Sequence, residues 1–295
     1  MYTLARLADR VISRIESLTR LDPIADAVAA FARRAVPAGL ARNGASGTPT
    51  GHPLHPPLTA VAIGSLSTST MLSMTRADAR STRRVMGMGL LAALPTVYAG
   101  LSDWSHTAAA ERRVGLIHAA VNDLAIGCYL AGWLRSRRDG GGAGRILPVT
   151  GWLLMAVGGV LGGHLAYGMG VGVVTTAFQH LDLEWTDVAA EADIPEQGLV
   201  AAHADGVPVL LSRVDGSVVA MADRCTHRGG PLHEGTLCEG TVQCPWHGSR
   251  FRLTDGAVVT GPAVRPQPTL RVRVVGGRVQ VSRSEQRSLR ARPVS

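Results

Sequence analysis

Between residues 57 and 172 the chain carries four long apolar segments, 58–74, 85–101, 114–134 and 147–171, and nothing comparable follows them. A segment that enters hydrocarbon must satisfy every backbone N–H and C=O within itself, which leaves the α-helix as its structure. Each segment approaches the roughly 20 residues that cross a bilayer, so four transmembrane helices are expected. Arginines bracket them: Arg76, Arg80, Arg83 and Arg84 after the first, Arg112 and Arg113 before the third, and Arg135, Arg137, Arg138 and Arg145 after it. Much of the net charge of +8 therefore lies beside apolar runs. With no aromatic residues interleaved, that pattern reads as membrane topology and excludes a nucleic-acid surface. No secretory signal is expected ahead of the helices.

Within the segments, Ser65, Ser67, Thr68, Ser69 and Thr70 suit a first helix packed against neighbours more than one bathed in lipid. Pro95 should kink the second. In the fourth, Gly158 with Gly162 and Gly159 with Gly163 form overlapping pairs of small residues that let a partner helix approach.

The flanking regions obey other periods. Leu4, Leu7, Val11, Ile15 and Leu18 recur at helical spacing, with Arg6, Arg10, Arg14 and Arg20 mostly off that stripe, so an amphipathic helix opens the chain. Asp22 followed by Pro23 starts a second helix that runs to about residue 36. These helices either cap the protein or lie on the membrane surface. Residues 37–56, rich in Gly, Pro, Ser and Thr, read as a linker.

After residue 174 the pattern changes to short alternating runs at 199–202, 207–214, 217–221, 270–275 and 278–281. Asp205-Gly206, Asp215-Gly216, Asp255-Gly256 and Gly276-Gly277 supply the left-handed positions of tight hairpins. The expected protein is therefore multi-domain: amphipathic helices and linker over 1–56, a four-helix transmembrane domain over 57–174, a linker over 175–183, an all-β antiparallel domain over 184–284 and a basic tail over 285–295.

Four cysteines in 295 residues, with Cys128 inside an apolar segment, do not make a disulfide framework, so metal binding is the better expectation. The pattern is Cys225-x-His227, sixteen residues, then Cys244-x-x-His247. Each half supplies one thiolate and one imidazole. Mixed pairs on two β-loops suit a 2Fe–2S cluster in which two cysteines hold one iron and two histidines the other. A zinc ion is the alternative, although a zinc finger groups its cysteines on a hairpin and its histidines on a helix, and no helix is written between residues 248 and 259. His233 and Cys238 are left over and read as loop residues.

CTHRGGPL and CPWHGS resemble the two cluster-binding boxes of Rieske iron–sulfur proteins, and Gly261-Pro262-Ala263 resembles the loop that shields a Rieske cluster. The resemblance covers about the last 110 residues. It implies Cys225, His227, Cys244 and His247 as cluster ligands. Rieske subunits of respiratory cytochrome bc complexes carry a further cysteine in each box, at positions that match Gly230 and Trp246, and a tyrosine where this chain has Phe251. Their inter-loop disulfide is absent here, and with one hydrogen bond fewer a lower reduction potential follows. The pattern is closer to the ferredoxin-type members that serve oxygenases. A terminal oxygenase also needs a 2-His-1-carboxylate iron domain, which is not expected within the few residues that follow the last expected strand.

HPLHPP at 52–57, GLSDW with HTAAAERRVGLIHAAVN at 106–122, and GGHLAYGMGVGV at 162–173 resemble a bacterial four-helix membrane domain that often occurs fused to Rieske domains. Ionisable residues in such helices are costly and usually functional. His55, His118 and His164, with His52 and His106 nearby, lie at similar depth on one side, which is compatible with haem b or a quinone. Otherwise they glue helices together.

Three functions fit. One is a membrane-anchored carrier passing single electrons between a membrane donor and a redox partner protein or quinol. The second is a quinol or haem-linked oxidoreductase with a second redox site among the helices. The third is a non-redox membrane protein stapled by zinc. By the positive-inside rule, the eight arginines of the 76–84 and 135–145 loops favour an outward Rieske-like domain, whereas cytoplasmic assembly of iron–sulfur clusters and the lack of a twin-arginine signal argue for the inner side.

Overall fold

The computed structural model describes residues 2–75, 77–136, 146–179 and 183–283. Arg76, Arg137, Arg138, Arg145 and the basic tail over 285–295 lie outside the described residues, as does the side chain of Leu4. Two compact units result: residues 1–46 with 53–173, and residues 47–52 with 174–295.

The first unit is helical. It comprises α1 (Tyr2–Glu16), α2 (Asp22–Ala35), α3 (Leu40–Ser46), α4 (His55–Met74), α5 (Ala79–Trp104), α6 (Ala109–Arg135) and α7 (Ile146–Gly163), the last continued by a π-helical turn over His164–Gly168. α3 falls inside the stretch read as a linker, where Ala45 and Ser46 are buried against the unit. The amphipathic α1 lays Ile12 and Ile15 against Val114, Ile117 and Leu161. α2 buries Ala25, Ala29 and Ala32, one stripe at helical period. Arg113 clamps Asp22 at 2.6 Å and Arg112 pairs with Asp26, so α2 is tied to α6.

α5, α6 and the span Ile146–Gly168 are long and apolar enough to cross a membrane. The Ser/Thr-rich α4 has 20 residues but falls short in apolarity. Its hydroxyls turn inward: Ser69 and Thr70 donate to the Leu66 carbonyl at 2.8 and 3.1 Å, and Thr70 meets the fully buried Tyr129 hydroxyl at 2.8 Å. Pro95 sits within α5 without ending it. Of the overlapping glycine pairs in α7, only one faces a neighbour. A Cβ at Gly158 would lie 2.5 Å from Asn122 and one at Gly162 2.9 Å from His118, both on α6, whereas Gly159 and Gly163 face open space. Helix approach therefore uses the 158/162 pair.

The second unit is all-β and antiparallel. A six-stranded sheet has the order β1-β10-β9-β4-β3-β2, formed by β1 (Thr186–Ala190), β2 (Val200–Ala204), β3 (Val207–Val214), β4 (Ser217–Ala222), β9 (Thr269–Val275) and β10 (Arg278–Arg283). A four-stranded sheet has the order β5-β6-β7-β8, formed by β5 (Thr236–Cys238), β6 (Thr241–Gln243), β7 (Arg250–Arg252) and β8 (Val258–Thr260). The dipeptides Asp205-Gly206, Asp215-Gly216 and Gly276-Gly277 all turn through positive φ and close hairpins. Glu239-Gly240 does the same between β5 and β6, although glutamate is a poor predictor of that conformation.

β3 is apolar on both faces because it is covered on both. Val209 and Leu211 join Ala204, Ala220, Val279 and Val281 in one core. Leu210 joins Met221, Leu232, Val242, Phe251 and Leu253 in the other, which also contains Cys225 and Cys244. That second core is the floor of the candidate site.

Beside it, Gly256 holds φ +71°, and a Cβ there would lie 1.9 Å from the Gln267 carbonyl oxygen. Gly256→Ala is expected to destabilise the β unit by at least about 2 kcal/mol, since left-handed backbone alone costs a residue with a Cβ roughly 1–2 kcal/mol. Thermal unfolding checks this, and an unchanged midpoint would contradict it.

Candidate metal centre

Two loops carry the four sequence-selected donors, and they repeat one backbone device. The Cys225 N–H donates to the Gly230 carbonyl at 2.9 Å, while the Cys225 carbonyl accepts the Gly229 N–H at 2.9 Å. In the second loop the Cys244 N–H donates to the Ser249 carbonyl at 2.8 Å and the Cys244 carbonyl accepts the Gly248 N–H at 3.1 Å. Each turn closes through a glycine at positive φ, +79° at Gly229 and +73° at Gly248. A Cβ would resist that conformation, which explains a glycine four residues after each cysteine.

Closing the turns points their amides inward. The N–H groups of His227 and Arg228 donate to the Cys225 sulfur, and those of Trp246 and His247 donate to the Cys244 sulfur. Both sulfurs are buried, and the two thiols are hydrogen-bonded to each other. That bond lowers Cys244 to about 7, while the same bond and burial raise Cys225. Contact and burial thus disfavour two thiolates side by side unless a cation compensates them.

The histidine sits two residues after the first cysteine and three after the second, so the rings leave the loops in different directions. Their centroids are 5.1 Å apart at an interplanar angle of 87°. Both Nδ1 atoms are buried, whereas each residue as a whole is half-exposed. Two thiols below and two imidazoles at the rim make a donor set of two pairs. Among the described residues, no group of three or more His, Cys, Asp or Glu converges as a single ion would require. The set suits a binuclear iron–sulfur group, with amides already aimed at the sulfur end.

Gly230 and Trp246 are in contact: a Cβ at Gly230 would lie 2.9 Å from the Trp246 ring and 3.0 Å from the Cys244 sulfur. Phe251 is fully buried in the floor. His233 is engaged elsewhere, its Nδ1 donating to Asp223 at 2.7 Å and its N–H to the same carboxylate at 2.8 Å. Cys238 ends β5 beside the Glu239-Gly240 turn.

Sequence patterning gave no signal for the residue that braces the first loop. Gln267, fully buried, donates to the carbonyls of Ala222 and Arg224 at 2.6 and 2.8 Å and accepts the Thr226 N–H at 3.1 Å. A glutamine between two prolines looks like any polar loop residue until the fold surrounds it.

In the helical unit each selected histidine has its own partner. His55 Nδ1 donates to the Thr96 carbonyl at 3.0 Å, His118 Nδ1 to the Gly158 carbonyl at 2.8 Å, and His164 Nε2 to Glu16 at 2.9 Å. His55 and His118 are within electrostatic reach of each other. His106 bonds the Ser102 carbonyl at 3.0 Å, and His52 belongs to the β unit.

Comparison with known proteins follows the same division. A family model described as Rieske [2Fe-2S] domain matches residues 184–286, and one described as Predicted membrane protein (DUF2231) matches residues 51–175. The 3-phenylpropionate/cinnamic acid dioxygenase ferredoxin subunit of Escherichia coli is 38% identical over 96 residues, 32% of this chain and 89% of that protein. The ferredoxin component of the naphthalene 1,2-dioxygenase system of Pseudomonas aeruginosa is 29% identical over 101 residues, 34% of this chain and 97% of its own. Among solved structures, the ferredoxin of carbazole 1,9a-dioxygenase from Nocardioides aromaticivorans matches 34% of this chain and 98% of its own, at 27% identity and a TM-score of 0.33.

The crowding at Gly230 is testable. Gly230→Ala is expected to weaken metal retention by roughly tenfold, the lower end of the usual effect of a group that orients ligands. Adding Trp246→Ala in the same chain should restore part of it. Iron content after desalting reads both, and full retention in Gly230→Ala would contradict the contact.

Proposed function

The chain belongs to the Rieske [2Fe-2S] domain family, and on that premise we propose that it is a membrane-anchored, ferredoxin-type carrier of single electrons whose cluster is held by Cys225, His227, Cys244 and His247. The observation that carries this reading is the pair of like-folded loops, which brings two thiols into hydrogen-bonding contact and two imidazoles within 5.1 Å. A 2Fe–2S cluster bound there supplies a one-electron store at the protein surface. Cys225 and Cys244 would hold the buried iron as thiolates, and His227 and His247 the outer one through the buried Nδ1 atoms. Four backbone amides stabilise negative charge on the sulfurs. The half-exposed imidazole edges leave a short path to a docked partner.

Division of the donors into two pairs favours this cluster over a single tetrahedral zinc. The relatives named above are ferredoxin components of dioxygenase systems, so the partner is taken to be a redox protein such as an oxygenase or reductase. The DUF2231 match and the three helices apolar enough to cross a membrane support anchoring of the carrier in a bilayer. α4 is proposed as a fourth crossing, its polar side chains satisfied against the main chain and Tyr129.

Purified protein is expected to be coloured and, once reduced, to give the low-average-g paramagnetic resonance of mixed Cys/His ligation. Cys225→Ser, His227→Ala, Cys244→Ser and His247→Ala should each abolish that signal, whereas Cys238→Ser should keep it. A colourless zinc-loaded protein would overturn the proposal. The arginine count favours the outer face for this domain, so protease added to intact cells is expected to cut it; full protection would reverse the orientation.

A further inference from the structure

The cluster loops take hydrogen bonds from two chain segments that lie outside the matched Rieske region. The first follows α7 in sequence. Thr175 donates its hydroxyl to the Cys225 carbonyl at 2.7 Å and its N–H to the Thr226 carbonyl at 3.3 Å. The second, residues 47–52, precedes α4 in sequence yet packs with the β unit. Thr48 donates its hydroxyl to the Ala263 carbonyl at 3.0 Å, and Arg265 reaches the Gly51 carbonyl at 3.5 Å. The Ala263 N–H in turn donates to the buried Ser249 hydroxyl at 3.0 Å, and Ser249 closes the second ligand loop through its carbonyl.

These bonds fall where they set ligand direction. The peptides joining residues 225, 226 and 227 determine where the Cys225 sulfur and the His227 ring point. Gln267 holds one side of that stretch, at Arg224 and the Thr226 N–H. Thr175 holds the other, at the carbonyls of Cys225 and Thr226. Thr226 adds a hydroxyl bond to the Arg265 carbonyl at 2.9 Å, which links the ligand loop to the segment gripped by residues 47–52.

We infer that Thr175 and Thr48, contributed by the segments that flank the helical domain in sequence, are positioning residues of the cluster, holding the first ligand loop directly and the second through Ala263 and Ser249. This rests on the cluster reading above. A hydroxyl dipole directed at the carbonyl of a ligand residue stabilises negative charge added on reduction, so its removal disfavours the reduced state. It also keeps the turn before His227 closed, so its removal speeds loss of the cluster.

The test uses the full chain purified in mild detergent. Thr175→Val is expected to carry a cluster of lower midpoint potential, released to a chelator roughly tenfold faster. Thr175→Ser should return both quantities to wild type, and Thr48→Val should also speed release. Thr186→Val is the control, because its hydroxyl bonds the Glu184 carbonyl at 3.1 Å and Asp205 at 3.2 Å, outside this network. An unchanged potential and release rate in Thr175→Val, or equal changes in Thr186→Val, would overturn the inference. If Thr175→Val does not assemble, Thr48→Val decides by release rate alone. A wild-type protein without the 2Fe–2S signal would instead sink the cluster reading.

Discussion

Two thiols lie in contact beneath the loops at 225–230 and 244–249, and both cannot ionise there without a positive charge beside them. Much of the β unit follows from that demand. Each cysteine nitrogen is bonded forward to a carbonyl five residues on, each cysteine carbonyl accepts an amide four residues on, and the intervening amides turn toward sulfur. Burial makes those amide dipoles stronger than they are in water, and it makes any unpaired polar group in the loops expensive. Gln267 and Ser249 are accordingly buried with their side chains bonded to loop backbone, and Asp223 is buried with its carboxylate on the N–H and ring of His233.

A fixed floor allows the loops to keep this geometry. β3 is covered on both faces, so the sheet that presents Leu210 and Met221 to the site is backed by Val209, Leu211 and Ala220 on the other side. Packing on both faces leaves a strand little freedom to shift register, because a one-residue slip would exchange the two cores. The loops leave from the end of β4 and the end of β6, and the mutual position of the two cysteines inherits that rigidity.

The helical unit solves a different problem with small residues and inward hydroxyls. Gly89 receives Leu66, Gly100 the His55 ring, Gly158 the Asn122 amide and Gly162 the His118 ring. At each point a glycine lets a bulky or polar side chain of the next helix reach the backbone. His55 and His118 then bond carbonyls four residues before the glycine that admits them, Thr96 before Gly100 and Gly158 before Gly162. The two hairpins α4–α5 and α6–α7 thus use the same contact.

By itself the sequence determined the elements whose cause is local. Apolar length wrote α5, α6 and α7, the Asp-Gly and Gly-Gly dipeptides wrote three hairpins, and donor spacing singled out Cys225, His227, Cys244 and His247. β1 and the short strands β5 to β8 were not legible, since three-residue strands carry no period of their own. Residues 37–56 looked like a linker because Gly, Pro, Ser and Thr disfavour regular structure, yet tertiary burial of Ala45 and Ser46 sustains a helix there. Only the tertiary structure decided that Gln267 braces the first loop, that Thr175 reaches that loop and Thr48 the Ala263 carbonyl from distant positions in the chain, and that one of two overlapping glycine pairs faces a neighbour. The reason is common to all of these: a side chain that acts on backbone tens of residues away leaves no spacing in the sequence, because its partner is defined by where the chain returns in space.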